Sequence, residues 1–183
     1  LLRAREQGFA VPAAALKTAQ ERLLRYLQEG YLIDSDYSQA PDSTRFAVQA
    51  YAGFVLARDK RAPLGALRSL FERRQQARSG LPLVHLALAL QWMGDAPKAE
   101  QALHAGLNVQ RSDDLYMADF GSELRDQAQI LTLLQEHNLA ASEQAQRMFT
   151  LADQLQQRSG LSTQERNALF MAARAQLNST ETN

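Results

Sequence analysis

The sequence predicts an all-α fold in which inner and outer helices alternate in hairpins, the arrangement of an α/α toroid. Three observations predict it. Apolar residues recur at helical spacing along nearly all of the 183-residue chain. The segments alternate between those apolar on almost every side and those apolar along one stripe. No stretch shows the period-two pattern of a half-buried strand. The clearest unit is Leu81 to Leu107: Leu83 to Met93 leaves no face for water, whereas Ala96, Ala99, Ala102, Leu103, Gly106 and Leu107 form one stripe among Lys98, Glu100, Gln101 and His104. Gly94 and Asp95 are placed to close the first helix and cap the second, with Pro97 in the first turn, where a missing N–H costs nothing.

Taken in order, Leu1 to Gln7 reads as the last turns of a helix ended by Gly8. Pro12 opens an outer helix from Val11 to about Gln28, apolar at Ala15, Leu16, Ala19, Leu23, Leu24 and Leu27. Gly30 to Asp42 is a long polar loop. Asp42 or Ser43 then caps an inner helix to about Lys60, apolar nearly all round through Phe46, Tyr51, Phe54 and Leu56. Pro63 opens an outer partner through Arg78, with Arg73, Arg74 and Arg78 on its solvated side. After the Leu81 to Leu107 hairpin comes a second long loop, Asn108 to Phe120. Ser122 caps an inner helix through His137 with Leu124, Ala128, Ile130, Leu131, Leu133 and Leu134. Ser142 to Gln157 is an outer helix on Ala145, Met148, Phe149, Ala152 and Leu155. Ser162 and Glu165 form an S-x-x-E capping box ahead of a final inner helix to Leu177. One domain therefore spans residues 1–177, and residues 178–183 are expected to be a frayed tail.

Inner helices buried on all sides need neighbours on both sides. A superhelical solenoid has no reason to bury one helix of each pair completely, whereas a ring with a central core does. Pro63 to Pro97 does match the roughly 34-residue period of a tetratricopeptide repeat. Other outer helices begin near residues 12 and 141 and break that period. A tetratricopeptide-like adaptor binding a protein partner is the alternative function.

Composition narrows the chemistry. Twenty basic and twenty acidic residues give a formal net charge of zero, which offers nucleic acid or an anionic membrane no electrostatic footing. With no cysteine there is no thiolate metal site and no cysteine nucleophile. No apolar run reaches the roughly 20 residues that span a bilayer. The start LLRAREQG carries no signal-peptide pattern, so the chain is expected to be a piece of a longer protein, with an apolar edge through which it dimerises. His85, His104 and His137 stand apart from any ligand pattern and are read as structural. Asp34 and Asp36 lack the Gly and Glu of a calcium loop and are read as turn caps. Asp119, Glu123 and Asp126 near an inner-helix mouth are carboxylates of the kind a toroid glycosidase sets roughly 5 to 9.5 Å apart. Arg125 beside Asp126 and the dipole preference of helix starts for acids account for them without catalysis.

The blocks LRAREQGFAVP, ERLLRYLQ, RFAVQAYAGFVLAR, APLGALR, SGLPLVHLALALQWMGDA, DFGSELRDQAQILTLLQE and LSTQERNALFMAARA run nearly the whole length. In this order they resemble the later part of the thioester-containing domain of bacterial α2-macroglobulins, protease-trapping proteins related to complement factors. The Ser-capped helix starts at Ser122 and Ser162 resemble those of the complement thioester domains. The resemblance implies an α/α toroid, a periplasmic parent anchored to the inner membrane as a lipoprotein, and inhibition of proteases without enzymatic activity or cofactor. A protease cuts a bait region, and a thioester between Cys and Gln acylates the trapped enzyme. The family's Cys-Leu-Glu-Gln signature lies upstream of the region matched and is absent here, so this segment supplies scaffold and shield. The expected partners are target proteases, reached through the parent, and the parent's other domains. The expected shielding rim is Tyr116, Asp119, Phe120, Ser122, Arg125 and Asp126, where aromatic and hydrogen-bonding groups meet an inner-helix mouth.

Overall fold

The computed structural model describes residues 1–30, 41–111 and 121–181, with side chains through Asn178. Asp34, Asp36, Tyr116, Asp119 and Phe120 lie outside the described residues. The described residues are helical and contain no strand. Their helices are α1 (Leu2–Glu6), α2 (Ala13–Glu29), α3 (Asp42–Arg58), α4 (Leu64–Glu72) with a 3-10 turn at Arg74–Gln76, α5 (Gly80–Trp92), α6 (Ala96–Asn108), α7 (Glu123–Glu136), α8 (Ala141–Gln156) and α9 (Thr163–Glu181). None is long and apolar enough to cross a membrane. The chain divides into two compact units, Leu1–Ala77 with His85–His104, and Arg78–Val84 with Ala105–Asn183.

Burial along each helix alternates as the apolar patterns require, up to α7. In the first unit α2 buries only Gln20 and Leu27, whereas α3 buries Phe46, Gln49, Ala50, Ala52, Gly53, Phe54, Leu56 and Ala57. Every residue from Leu81 to Leu90 of α5 is buried, and α6 buries only Ala99, Ala102 and Gly106. Each Leu or Phe enclosed this way contributes about 1.5–3 kcal/mol from water exclusion. The hairpin turn is built by backbone bonds from Gly94 N–H to Gln91 O (3.2 Å) and Asp95 N–H to Leu90 O (2.9 Å). Asp95 then caps α6 through the Lys98 N–H (3.4 Å) and takes Arg68 on its other oxygen.

A ring ladder fills the first unit. Phe54 meets His85 (centroids 4.8 Å) and Trp92 (5.4 Å), and Tyr51 meets His85 edge-on at 5.3 Å. His85 is thus a packed core ring, as a solitary histidine should be. Tyr51 departs from the all-round burial expected of α3: it is 53% exposed, although its ring packs on His85 and Phe54. The arginine run also departs from a purely solvated face. Arg73 donates to Gln49 Oε1 (3.2 Å), and Arg74 stacks 4.4 Å above Phe71 and donates to its carbonyl; only Arg78 of the three is exposed. Helix α4 ends at Glu72, so Arg74 folds back over Phe71 while Arg73 reaches across to α3. Neither Asp42 nor Ser43 caps α3, whose N-cap position is Pro41 with no side-chain cap bond.

In the second unit α7 packs against both α8 and α9, around Leu124, Ala128, Leu131, Leu151, Ala168 and Ala172. Two expectations fail here. Apart from Met148, the stripe assigned to α8 faces outward, with Phe149 at 64% and Leu155 at 39% exposure and Ala145 and Ala152 exposed. The inward positions are Gln144, Arg147, Met148 and Leu151, because the two polar ones cap carbonyls: Gln144 Nε2 donates to Leu139 O (2.9 Å) and Arg147 Nη2 to Leu107 O (2.9 Å). Helix α9 is not an inner helix. It lays Glu165, Ala168, Ala172 and Ala175 inward and leaves Phe170 and Leu177 each 65% exposed. Small residues let that single face approach α7, and no described element covers the other. The helix also runs past Leu177, to Glu181.

Candidate functional site

The three described rim residues converge at the start of α7. Ser122, extended at φ −148° and ψ 163°, accepts the Arg125 N–H at 3.1 Å as the N-cap, the role its sequence context predicts. Asp126 is 1% exposed and sits between two arginines: Arg111 Nη1 donates to Oδ2 at 2.8 Å and Arg125 Nε to Oδ1 at 2.8 Å. The two guanidinium groups press on Gly121, where an added Cβ would meet Arg111 Nη1 at 2.4 Å and Arg125 Nη2 at 2.6 Å. A side chain at 121 and the doubly clamped carboxylate therefore exclude one another.

Glu123 completes the turn, accepting the Arg111 N–H at 3.0 Å and Gln127 Nε2 at 2.7 Å. These contacts account for Glu123 and Asp126 as structural groups of the turn. A cleft of about 400 Å³ opens beside it, between the end of α6 and helices α7 and α8, walled by Glu123, Gln127, Glu143 and Arg147. No group of three or more His, Asp or Glu among the described residues is placed to hold a metal ion.

The second centre is Glu165, which sequence reasoning saw only as a capping residue. The box is formed: Ser162 N–H donates to Oε2 at 2.8 Å, and Ser162 Oγ accepts the Glu165 N–H at 3.2 Å. The same carboxylate also accepts the Ser122 hydroxyl at 2.7 Å and Arg158 Nη2 at 3.1 Å on Oε1. Nothing in the sequence signals this pairing of two caps 43 positions apart. Burial pushes the Glu165 carboxyl up, but the Ser122 hydroxyl, the Ser162 amide and hydroxyl and the Arg158 charge outweigh it and hold the group below the ordinary range. Asp59 is likewise lowered by hydrogen bonds from Arg5 and Gln20, and Asp95 by its bond from Arg68. A depressed carboxylate adds stability above its unfolded value and loses it as pH falls through its folded value. Denaturant titrations at a series of pH values are therefore expected to show constant stability from pH 7 to about 5 and a decline below about 4.3.

No family model matches the chain. A curated relative does: the sequence is 48% identical over 176 residues to alpha-2-macroglobulin of Escherichia coli K12, a match covering 95% of this chain and 11% of that protein. The solved structure of native alpha-2-macroglobulin from Escherichia coli, spanning domain MG7 to the C-terminus, superposes with a TM-score of 0.89 at 46% identity. That match covers 95% of this chain and 28% of that one. The chain is homologous to part of the C-terminal region of bacterial alpha-2-macroglobulin. Trypsin activated alpha-2-macroglobulin from Escherichia coli matches equally well, with a TM-score of 0.88 at 48% identity over 95% of this chain and 12% of that one. The described residues are thus helical without a strand, as the sequence predicts, and the chain spans about a ninth of the length of its curated relative.

Proposed function

We propose that this chain is a scaffold segment of a protease-trapping inhibitor, part of an α/α toroid that shields a thioester whose Cys and Gln lie outside it. The observation that carries the proposal is near-half identity over 95% of the chain to alpha-2-macroglobulin, a relative solved in both native and trypsin-activated forms. Two features of the residues support it. The charged groups at the start of α7 are paired with one another, as suits a scaffold surface and not a reaction centre. An activated acyl group survives only while water is kept from it, and the sequence sets the aromatic Tyr116 and Phe120 just ahead of α7.

On this reading Tyr116, Asp119, Phe120, Ser122, Arg125 and Asp126 form the rim, proteases are partners only through the longer parent, and the parent is periplasmic and membrane-anchored. The segment itself catalyses nothing. The homology favours this over a tetratricopeptide-like adaptor, whose period only the stretch from Pro63 to Pro97 satisfies. The test uses the parent carrying Tyr116→Ala and Phe120→Ala and follows release of a free thiol by methylamine. Wild-type parent is expected to react slowly, and the doubly substituted one several-fold faster. Equal rates would remove the shielding role.

A further inference from the structure

One carboxylate serves two helix starts. Ser122 accepts the Arg125 N–H in the first turn of α7 through its oxygen, and its own proton goes to Glu165 Oε1 at 2.7 Å. Ser162 at the start of α9 donates its N–H to Glu165 Oε2 at 2.8 Å, and Arg158, just past α8, donates to Oε1 at 3.1 Å. Glu165 is 5% exposed, so water does not substitute for these donors. We infer that Glu165 is a charge-dependent latch between the starts of α7 and α9: ionised, it ties the two N-termini together through Ser122, and neutralised, it lets them separate.

The chemistry of the donors requires the charge. Three donors converge on two oxygens, which a carboxylate satisfies with lone pairs to spare. A carboxylic acid brings its own proton into that set and gives up the attraction of Arg158. A glutamine at 165 points an NH2 group at one or other of these donors, donor against donor. Arg158 is the charged side chain that faces Glu165. On α7 the neighbouring charges are engaged elsewhere, Glu123 with the Arg111 N–H and Gln127, and Asp126 with Arg111 and Arg125. The direction follows: the latch is closed at neutral pH and opens as pH falls through the carboxylate range. The proposal stands on these contacts whether or not the start of α7 borders a thioester.

Amide hydrogen exchange on the whole 183-residue chain tests it. Glu165→Gln, a change in α9, is expected to speed exchange of the Arg125 amide in α7 by about ten-fold at pH 7. Adding it to Ser122→Ala should bring little further change, since both break the same link. An unchanged Arg125 amide in Glu165→Gln, or two effects that multiply independently, would overturn the latch. Should Glu165→Gln fold poorly, the unsubstituted chain serves. As pH is lowered below about 4.3, the protection factor of Arg125 should fall before those of α3, and equal behaviour of the two would contradict the proposal.

Discussion

Gly80→Ala is expected to lower the melting temperature by about 10 °C, from a loss of about 3 kcal/mol or more. Gly80 opens α5 against the end of α6, and a Cβ there would lie 2.1 Å from Gly106 O and 3.2 Å from Val109 O. Both obstacles are backbone, so no rotamer change relieves the clash. Gly106 is confined in the same way, with Gly80 O, Leu83 Cβ and Val84 Cγ2 each 3.0 Å from where its Cβ would be. Against this, alanine gains only about 1 kcal/mol in helix propensity over glycine. Steric exclusion therefore decides the sign. Differential scanning calorimetry checks it, and a melting temperature within about 2 °C of the unsubstituted chain would show that the two backbones are not in contact.

Asp126→Ala is expected to cost about 3–5 kcal/mol in denaturant unfolding, the scale for leaving buried charge uncompensated. It leaves the guanidinium groups of Arg111 and Arg125, whose side chains are 10% and 16% exposed, facing each other across an emptied site. The magnitude comes from the stranded cations and not from the worth of the ion pairs, which burial largely cancels. That distinction is measurable, because Asp126→Asn keeps the shape but not the charge and should recover only a small part of the loss. A cost below about 1 kcal/mol for Asp126→Ala would mean that water reaches both arginines and that the cluster is a surface one.

The inner and outer character of α2 to α7 was legible because burial on one face or on all faces is written directly in apolar spacing. Caps at Ser122, Asp95 and Ser162 were legible because each is a local pattern of three or four residues. Helix α8 was not. Ala145, Phe149, Ala152 and Leu155 lie outward, and its inward face carries Gln144 and Arg147 beside Met148 and Leu151, the two polar side chains reaching carbonyls of other segments. Spacing rules weigh only hydrophobicity and cannot see a polar residue recruited to finish another helix. Helix α9 misled for a related reason: it has enough apolar residues for two faces, and alanines took the one that packs. In the candidate site, Ser122, Arg125 and Asp126 were named from an expected inner-helix mouth and a capping pattern, of which the Ser122 cap is present. Arg111 and Glu165, which complete the network, come from 15 and 43 positions away and leave no periodic trace.

The proposed scaffold role is tested most directly by the fate of trypsin mixed with the intact parent. After cleavage, size-exclusion chromatography followed by a denaturing gel should find the protease retained with the parent and covalently attached to it. The isolated 183-residue chain should retain none. Trypsin emerging free from a merely fragmented parent, or bound by the isolated chain alone, would contradict a scaffold role in a protease trap.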